Sequence, residues 1–183
     1  MTAQCPSCVI PGELIAVPGN NDCLFTAVSL ALVHRAKSPL DLVGRGRKCR
    51  QLFLDKLRVR VAAGDMLDGL PLLQTVCDEA QPPEHPGQNA EVLERYISRM
   101  TVPPGQNPTN EQWGGFAEAR AMAHMWKFTL YIVERTSRGE RQLFTQSIRP
   151  EPSNGVACLV YSAGVHFDFL QVESAAVLKP LDG

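Results

Sequence analysis

Pro18-Gly19-Asn20-Asn21-Asp22-Cys23-Leu24-Phe25-Thr26-Ala27-Val28 runs from a turn-forming stretch of small polar residues straight into an apolar segment, with a cysteine at the junction. Downstream, Leu24, Val28 and Leu32, and one step over Phe25, Leu30 and Val33, recur at helical spacing and predict a buried helix from Cys23 to about Arg35. A thiol at such a start faces unpaired backbone N–H groups and the positive end of the helix dipole, both of which favour thiolate over thiol. Cys23 is thereby a candidate nucleophile held by a core element. Upstream, Glu13 to Val17 reads as a short extended segment ended by Pro18-Gly19.

The 183 residues are enough for one domain with a core of its own, and 44% hydrophobic with 20% charged is ordinary globular composition. Eighteen Lys plus Arg against nineteen Asp plus Glu leave a formal charge of -1, so no overall field demands nucleic acid or an anionic membrane. Residues 1 to 17 lack the pattern of a secretory signal, and Leu24 to Val33 is too short an apolar run to span a bilayer. A soluble, intracellular chain with reduced thiols is the expectation for its six cysteines. Cys5-Pro-Ser-Cys8 has no second CxxC or HxxxH to complete a zinc site, so no metal is expected there.

Further along, Leu52, Phe53, Leu57 and Val61 predict one apolar face of a helix from about Gly44 to Ala63. Its other face carries Arg45, Arg47, Lys48, Arg50, Lys56, Arg58 and Arg60, opposed by Asp55 alone. That face is either a solvated surface or a patch for RNA, acidic protein or phosphate, and no aromatic residues interleave as a single-strand platform would want. A short helix is expected over Leu67 to Cys77 and an amphipathic one over Ala90 to Met100, followed by a Pro/Gly/Asn-rich loop from Thr101 to Asn110. Trp113-Gly114-Gly115-Phe116-Ala117-Glu118 then opens an alanine-rich helix running to Trp126. Adjacent glycines beside a tryptophan allow a close backbone approach to a ligand or another chain, or form a tight turn before the helix.

After that helix the period changes to alternation. Strands are predicted at Phe128 to Glu134, Arg141 to Thr145, Val156 to Tyr161 and His166 to Val172, with a turn at Thr136 to Glu140. Helices first and strands last, with a segment near Val17 able to join the sheet, indicate an α+β domain.

In the last strand, alternation puts His166 and Asp168 on one face and Phe167 and Phe169 on the other. A rise of about 3.3 Å per residue brings an imidazole and a carboxylate at i and i+2 within reach of each other. The three other histidines lack this arrangement. His34 lies at the far end of the Cys23 helix, His85 sits in a Pro-rich loop, and His124 has no carboxylate one turn away on its helix. Cys23, His166 and Asp168 thus make a candidate nucleophile, base and orienter.

Together these residues resemble the OTU (ovarian tumour) family of cysteine proteases. Cys23-Leu24-Phe25-Thr26-Ala27-Val28 is similar to the nucleophile motif D-G-x-C-L-F-x-A-hydrophobic, Trp113-Gly114-Gly115 with Glu118 to W-G-G-x-x-E, and His166-Phe167-Asp168 to the closing H-aromatic-D/N triplet. The blocks stand in the family's order and span residues 18 to 170. The resemblance implies a papain-like OTU fold, with a small, mostly antiparallel central sheet packed between helical layers. It implies one catalytic domain over 13–178 between tails at 1–12 and 179–183.

The resemblance further implies a deubiquitinase that hydrolyses isopeptide or peptide bonds after the Gly-Gly tail of ubiquitin or a ubiquitin-like protein. In that reading Cys23 attacks, the backbone N–H groups of Asn21, Asp22 and Cys23 hold the oxyanion, and His166 protonates the leaving amine. Trp113, Gly114 and Gly115 would wall the channel for the substrate tail. No cofactor is implied. The expected partners are ubiquitin or its relatives and polyubiquitin chains, not membrane or nucleic acid, and the expected state is a monomer in the cytoplasm, the host's if the chain comes from a virus or pathogen. The rivals are a viral polyprotein-processing protease on the same fold, a ubiquitin-binding pseudoenzyme, and an RNA-binding module using the basic helix. One departure bears on the site: the family's Asp and Gly, three and two residues before the nucleophile, are Asn20 and Asn21 here.

Overall fold

In the computed structural model, which describes residues 12–33, 39–77, 86–135, 141–143, 152–162 and 166–172, the apolar stretch after Asp22 forms α1 (Cys23–Val33). Before it, Glu13–Ile15 forms β1. The basic segment forms α2 (Pro39–Ala62), longer at its start than the apolar pattern predicts. A proline suits that first turn, where its missing N–H costs no helical bond. Gly46 is required where α2 crosses α1, because a Cβ there would collide with Thr26 Oγ1.

The helix predicted from Leu67 to Cys77 is a correction. Met66–Leu67 (β2) and Leu70–Pro71 (β3) make an antiparallel hairpin, and only Leu72–Val76 (α3) is helical. The two residues at the turn, Asp68 and Gly69, have φ of 53° and 82°. Asp-Gly is the sequence signature of such a turn, and it overrides the weak helical period around it.

Helix α4 (Pro86–Met100) and a 3-10 turn at Asn110–Gln112 lead to α5 (Phe116–Trp126). The remaining strands are β4 (Thr129–Arg135), β5 (Arg141–Leu143), β6 (Val156–Ser162) and β7 (His166–Gln171). The five-stranded sheet runs β1-β7-β6-β4-β5; only β4 with β6 is parallel. The expected α+β architecture with a small, mostly antiparallel sheet is what the chain forms.

Alternation sorts the sheet residues between two apolar clusters. Leu130, Ile132, Ala157, Leu159, Phe167 and Phe169 join α1, α2, α4 and α5 in the main core, whereas Tyr131, Val133, Cys158, Val160 and Leu170 pack together separately. Leu24, Phe25 and Val28 of α1 are fully buried in the main core. At about 1.5–3 kcal/mol for each large apolar side chain removed from water, this packing holds the start of α1 in place.

Two predicted core residues lie elsewhere. Leu32 is 43% exposed and Leu52 is 52% exposed. The buried stripe of α2 is instead Phe53, Leu54 and Leu57, and it includes Arg50, which is 2% exposed. Leu32, Leu52, Val59 and Trp126 line a groove of about 730 Å³. The basic face is also not opposed by Asp55 alone. Arg58 makes two 2.9 Å bonds to Glu94, Arg60 lies 3.3 Å from Asp65, and Arg47 donates to the Gln106 carbonyl at 2.6 Å.

Among the described residues no helix is long and apolar enough to cross a membrane, and no group of His, Cys, Asp and Glu could hold a metal ion. Cys5 and Cys8, His34, His85, the predicted turn at 136–140 and the C-terminal tail lie outside the described residues.

Candidate active site

Cys23 is the first residue of α1 and is 2% exposed. The turn before it is built from short bonds. Asn20 N–H donates to the Pro18 carbonyl at 2.8 Å, and Cys23 N–H donates to the Asn20 carbonyl at 3.0 Å. The Asn20 side chain takes part as well, its Oδ1 accepting from the Asp22 N–H at 3.2 Å. Asparagine favours such turns because its carbonyl oxygen can take the N–H two residues on.

Arg50 clamps this turn from α2. Its Nε donates to Asp22 Oδ1 at 2.6 Å, Nη2 to the Asn21 carbonyl at 2.7 Å, and Nη1 to the carbonyls of Gln112 at 2.5 Å and Met100 at 3.5 Å. Its guanidinium also lies 4.4 Å from the centre of the Phe25 ring. The Asp22–Arg50 pair is almost wholly buried, at 0% and 2% side-chain exposure. A buried carboxylate is tolerable only with such a partner, and at the start of α1 it also meets the favourable end of the helix dipole. From the other side Asn21 Nδ2 donates to the Pro108 carbonyl at 2.7 Å. Burial, with the Asp22 carboxylate adding to it, pushes the neighbouring Cys49 thiol up to about 12, so Cys49 remains a neutral thiol.

On β7, His166 Nε2 lies 2.9 Å from Asp168 Oδ1. The same oxygen accepts the Val17 N–H at 2.8 Å, because the pairing of β1 with β7 carries the chain past it. A carboxylate held by the backbone has one orientation, and with Nε2 facing it His166 keeps Nδ1 for another partner. His166 shares a cleft of about 590 Å³ with Gly19, Asn20, Asn21, Asn110 and Trp113, so the imidazole and the turn before Cys23 border one space. The Trp113 ring stacks on Phe167, 6.2 Å between centres and 27° between planes.

The structure separates the residues expected to hold substrate. Of the three predicted oxyanion donors, the N–H groups of Asp22 and Cys23 are engaged within the turn, while that of Asn21 has no partner among the described residues. Of the predicted channel wall, Trp113 lines the cleft and the two glycines do not. Gly114 packs on α1, where a Cβ would come within 2.8 Å of Phe25 Cε2 and 3.0 Å of Leu24 Cδ2. Gly115 N–H donates to Glu118 Oε2 at 2.8 Å, capping α5, and Glu118 Oε1 accepts from the Tyr96 hydroxyl at 2.8 Å. Burial, followed by the Glu118 charge, holds the Tyr96 hydroxyl well above its ordinary ionisation range, so it remains a donor.

Two features escape the sequence reading. Arg50 is counted by its charge with the basic face, yet with Phe53, Leu54 and Leu57 it stands at i, i+3, i+4 and i+7 of one stripe, the available signal that it is buried. His124 does have a carboxylate, Asp65 Oδ2 at 3.2 Å, supplied by a distant segment rather than by its own helix.

No family model matches the sequence, and neither does any curated protein. Among solved structures, the chain is similar to the viral OTU domain protease from Dera Ghazi Khan virus, at 19% identity and TM-score 0.55 over 89% of this chain and 82% of that one. It is similar to the Hazara virus OTU bound to ubiquitin, at 14% identity and TM-score 0.56 over 90% of this chain and 88% of the other. The viral OTU domain protease from Farallon virus, at 20% identity, has TM-score 0.55 over 87% of this chain and 83% of that one. With these neighbours and this strand order, the chain has the fold of the OTU domains.

Proposed function

We propose that this protein is an OTU-type cysteine hydrolase that cleaves the peptide or isopeptide bond after the C-terminal tail of ubiquitin or a ubiquitin-like protein. The observation that carries this reading is the cleft where His166, oriented by an Asp168 fixed to the Val17 N–H, faces the turn that delivers Cys23 at the start of α1. The likeness to the ubiquitin-bound Hazara virus OTU supports the choice of substrate.

In the forward step the Cys23 thiolate adds to the carbonyl of the terminal glycine, and the imidazolium of His166 gives its proton to the departing amine. A water deprotonated by His166 then releases the acyl group, restoring the thiol. Asp168 holds the ring with Nδ1 free and offsets the imidazolium charge. Trp113 bounds the cleft beside His166 and limits the space open to solvent.

Ubiquitin carrying an electrophile on its C-terminal glycine tests the reading. The expected result is a covalent adduct on Cys23 that Cys23→Ala removes; no adduct, or one that survives the substitution, sinks it. A ubiquitin binder that does not cut is the second reading, favoured by the engaged Cys23 N–H. It predicts saturable ubiquitin binding with neither adduct nor turnover.

A further inference from the structure

We propose that the side-chain amide of Asn20 is the main oxyanion donor of this site, an inference that rests on the hydrolase reading above. The backbone donor expected for that task, Cys23 N–H, is spent on the Asn20 carbonyl at 3.0 Å. Releasing it means opening a turn clamped from both sides. Arg50 holds Asp22 Oδ1 at 2.6 Å and the Asn21 carbonyl at 2.7 Å, and Asn21 Nδ2 holds the Pro108 carbonyl at 2.7 Å. The clamp favours the turn as it stands, with the Cys23 N–H occupied.

Asn20 is suited to replace it. Its Oδ1 is fixed by the Asp22 N–H at 3.2 Å, which assigns the amide: the flipped group would set donor against donor. The NH₂ is then the free end of a planar group, and Nδ2 has no partner among the described residues. Asn20 is half-buried and lines the same cleft as His166 and Trp113. When the Cys23 thiolate adds to the substrate carbonyl carbon, the C=O electron pair moves onto oxygen, which accepts from Asn20 Nδ2 and the Asn21 N–H. When the pair returns, the C–N bond breaks and the amine leaves with the proton from His166. An aspartate at position 20 would keep the acceptor for the Asp22 N–H and lose the donor.

The test uses the full chain with ubiquitin bearing a C-terminal fluorogenic amide, and compares wild type with Asn20→Asp and Asn20→Ala. Both variants should lose about 10²–10³-fold in kcat with KM little changed, the effect of removing one oxyanion donor. Alkylation of Cys23 by iodoacetamide forms no oxyanion, so its limiting rate at high pH should stay at the wild-type value in Asn20→Ala. Asn20→Asp retains the turn's own hydrogen bond, which separates loss of the donor from misfolding. Wild-type turnover by Asn20→Asp overturns the proposal, as does alkylation that falls in step with kcat, which would mark a role in shaping the turn or activating the thiol. A wild-type protein that neither cleaves nor labels with the electrophilic ubiquitin overturns the hydrolase reading and this inference together. Cleavage by wild type and variants alike overturns this inference alone.

Discussion

Among the described residues two histidine–carboxylate pairs occur, His166 with Asp168 at 2.9 Å and His124 with Asp65 at 3.2 Å, and their surroundings differ. Asp168 is held by the Val17 N–H, and its histidine lines a cleft with the turn that precedes a cysteine. Asp65 also lies 3.3 Å from Arg60, and its Oδ1 accepts the Met66 N–H, so it ties α2, the β2–β3 hairpin and α5 together. The same pair of side chains makes a candidate catalytic base in one place and a structural tie in the other. A carboxylate beside an imidazole does not define a site; an open cleft shared with the turn that leads into a nucleophile does.

Replacing each histidine by alanine tests this contrast most directly. His166→Ala should lower kcat/KM on ubiquitin amide by roughly 10²–10⁴-fold, as loss of a general acid–base does. His124→Ala should leave kcat at the wild-type value and lower only the melting temperature. Equal losses from the two substitutions would erase the distinction.

The next effect concerns the clamp that only the Cys23 side possesses. Arg50→Ala leaves the buried Asp22 carboxylate without its counter-charge and should cost about 3–5 kcal/mol in urea unfolding. Arg58→Ala, which removes an exposed ion pair with Glu94, should leave the unfolding midpoint where it is. Gly114→Ala should cost about 1–3 kcal/mol by overpacking against Phe25 and Leu24, whereas Gly115→Ala, whose Cβ would meet nothing closer than 3.6 Å, should be tolerated.

The smallest effect is a pH dependence beside the clamp. The Cys49 thiol is pushed up to about 12, first by burial and then by Asp22, from an ordinary value of 9.0. Above pH 9 the unfolded chain releases this proton while the folded chain keeps it, so folding stability falls between pH 9 and 12. The slope contributed is at most about 1.4 kcal/mol per pH unit, and Cys49→Ala should remove that contribution from the stability profile.

Much of the fold was legible because periodicity records burial. The switch from helical spacing to alternation after Trp126 marks the boundary between α5 and the later strands, and alternation alone puts Phe167 and Phe169 in the core away from His166 and Asp168. The β2–β3 hairpin was misread because its Asp-Gly turn lies inside a run of leucines that mimics a helix. Arg50 was misread because a charged residue on an apolar stripe is assigned outward unless its partner is known, and Asp22 lies on another helix's start. The glycines at 114 and 115 were legible as special positions, but not for which task. Close packing on α1 and the capping of α5 depend on what stands opposite them.

By itself the sequence determined that a cysteine opens an apolar helix, that a histidine and an acid share a face of a late strand, and that helices precede a sheet. These are local consequences of chain geometry, repeated every few residues. Only the tertiary structure decided which donors before Cys23 are free, which histidine faces a cleft, and which basic residue is buried as a clamp. The donors are set by bonds inside a turn that Arg50 clamps from another helix, and the other two depend on atoms from segments far apart in the chain, so the energy of a buried charge or an unpaired N–H is set by its neighbours rather than by its place in the sequence.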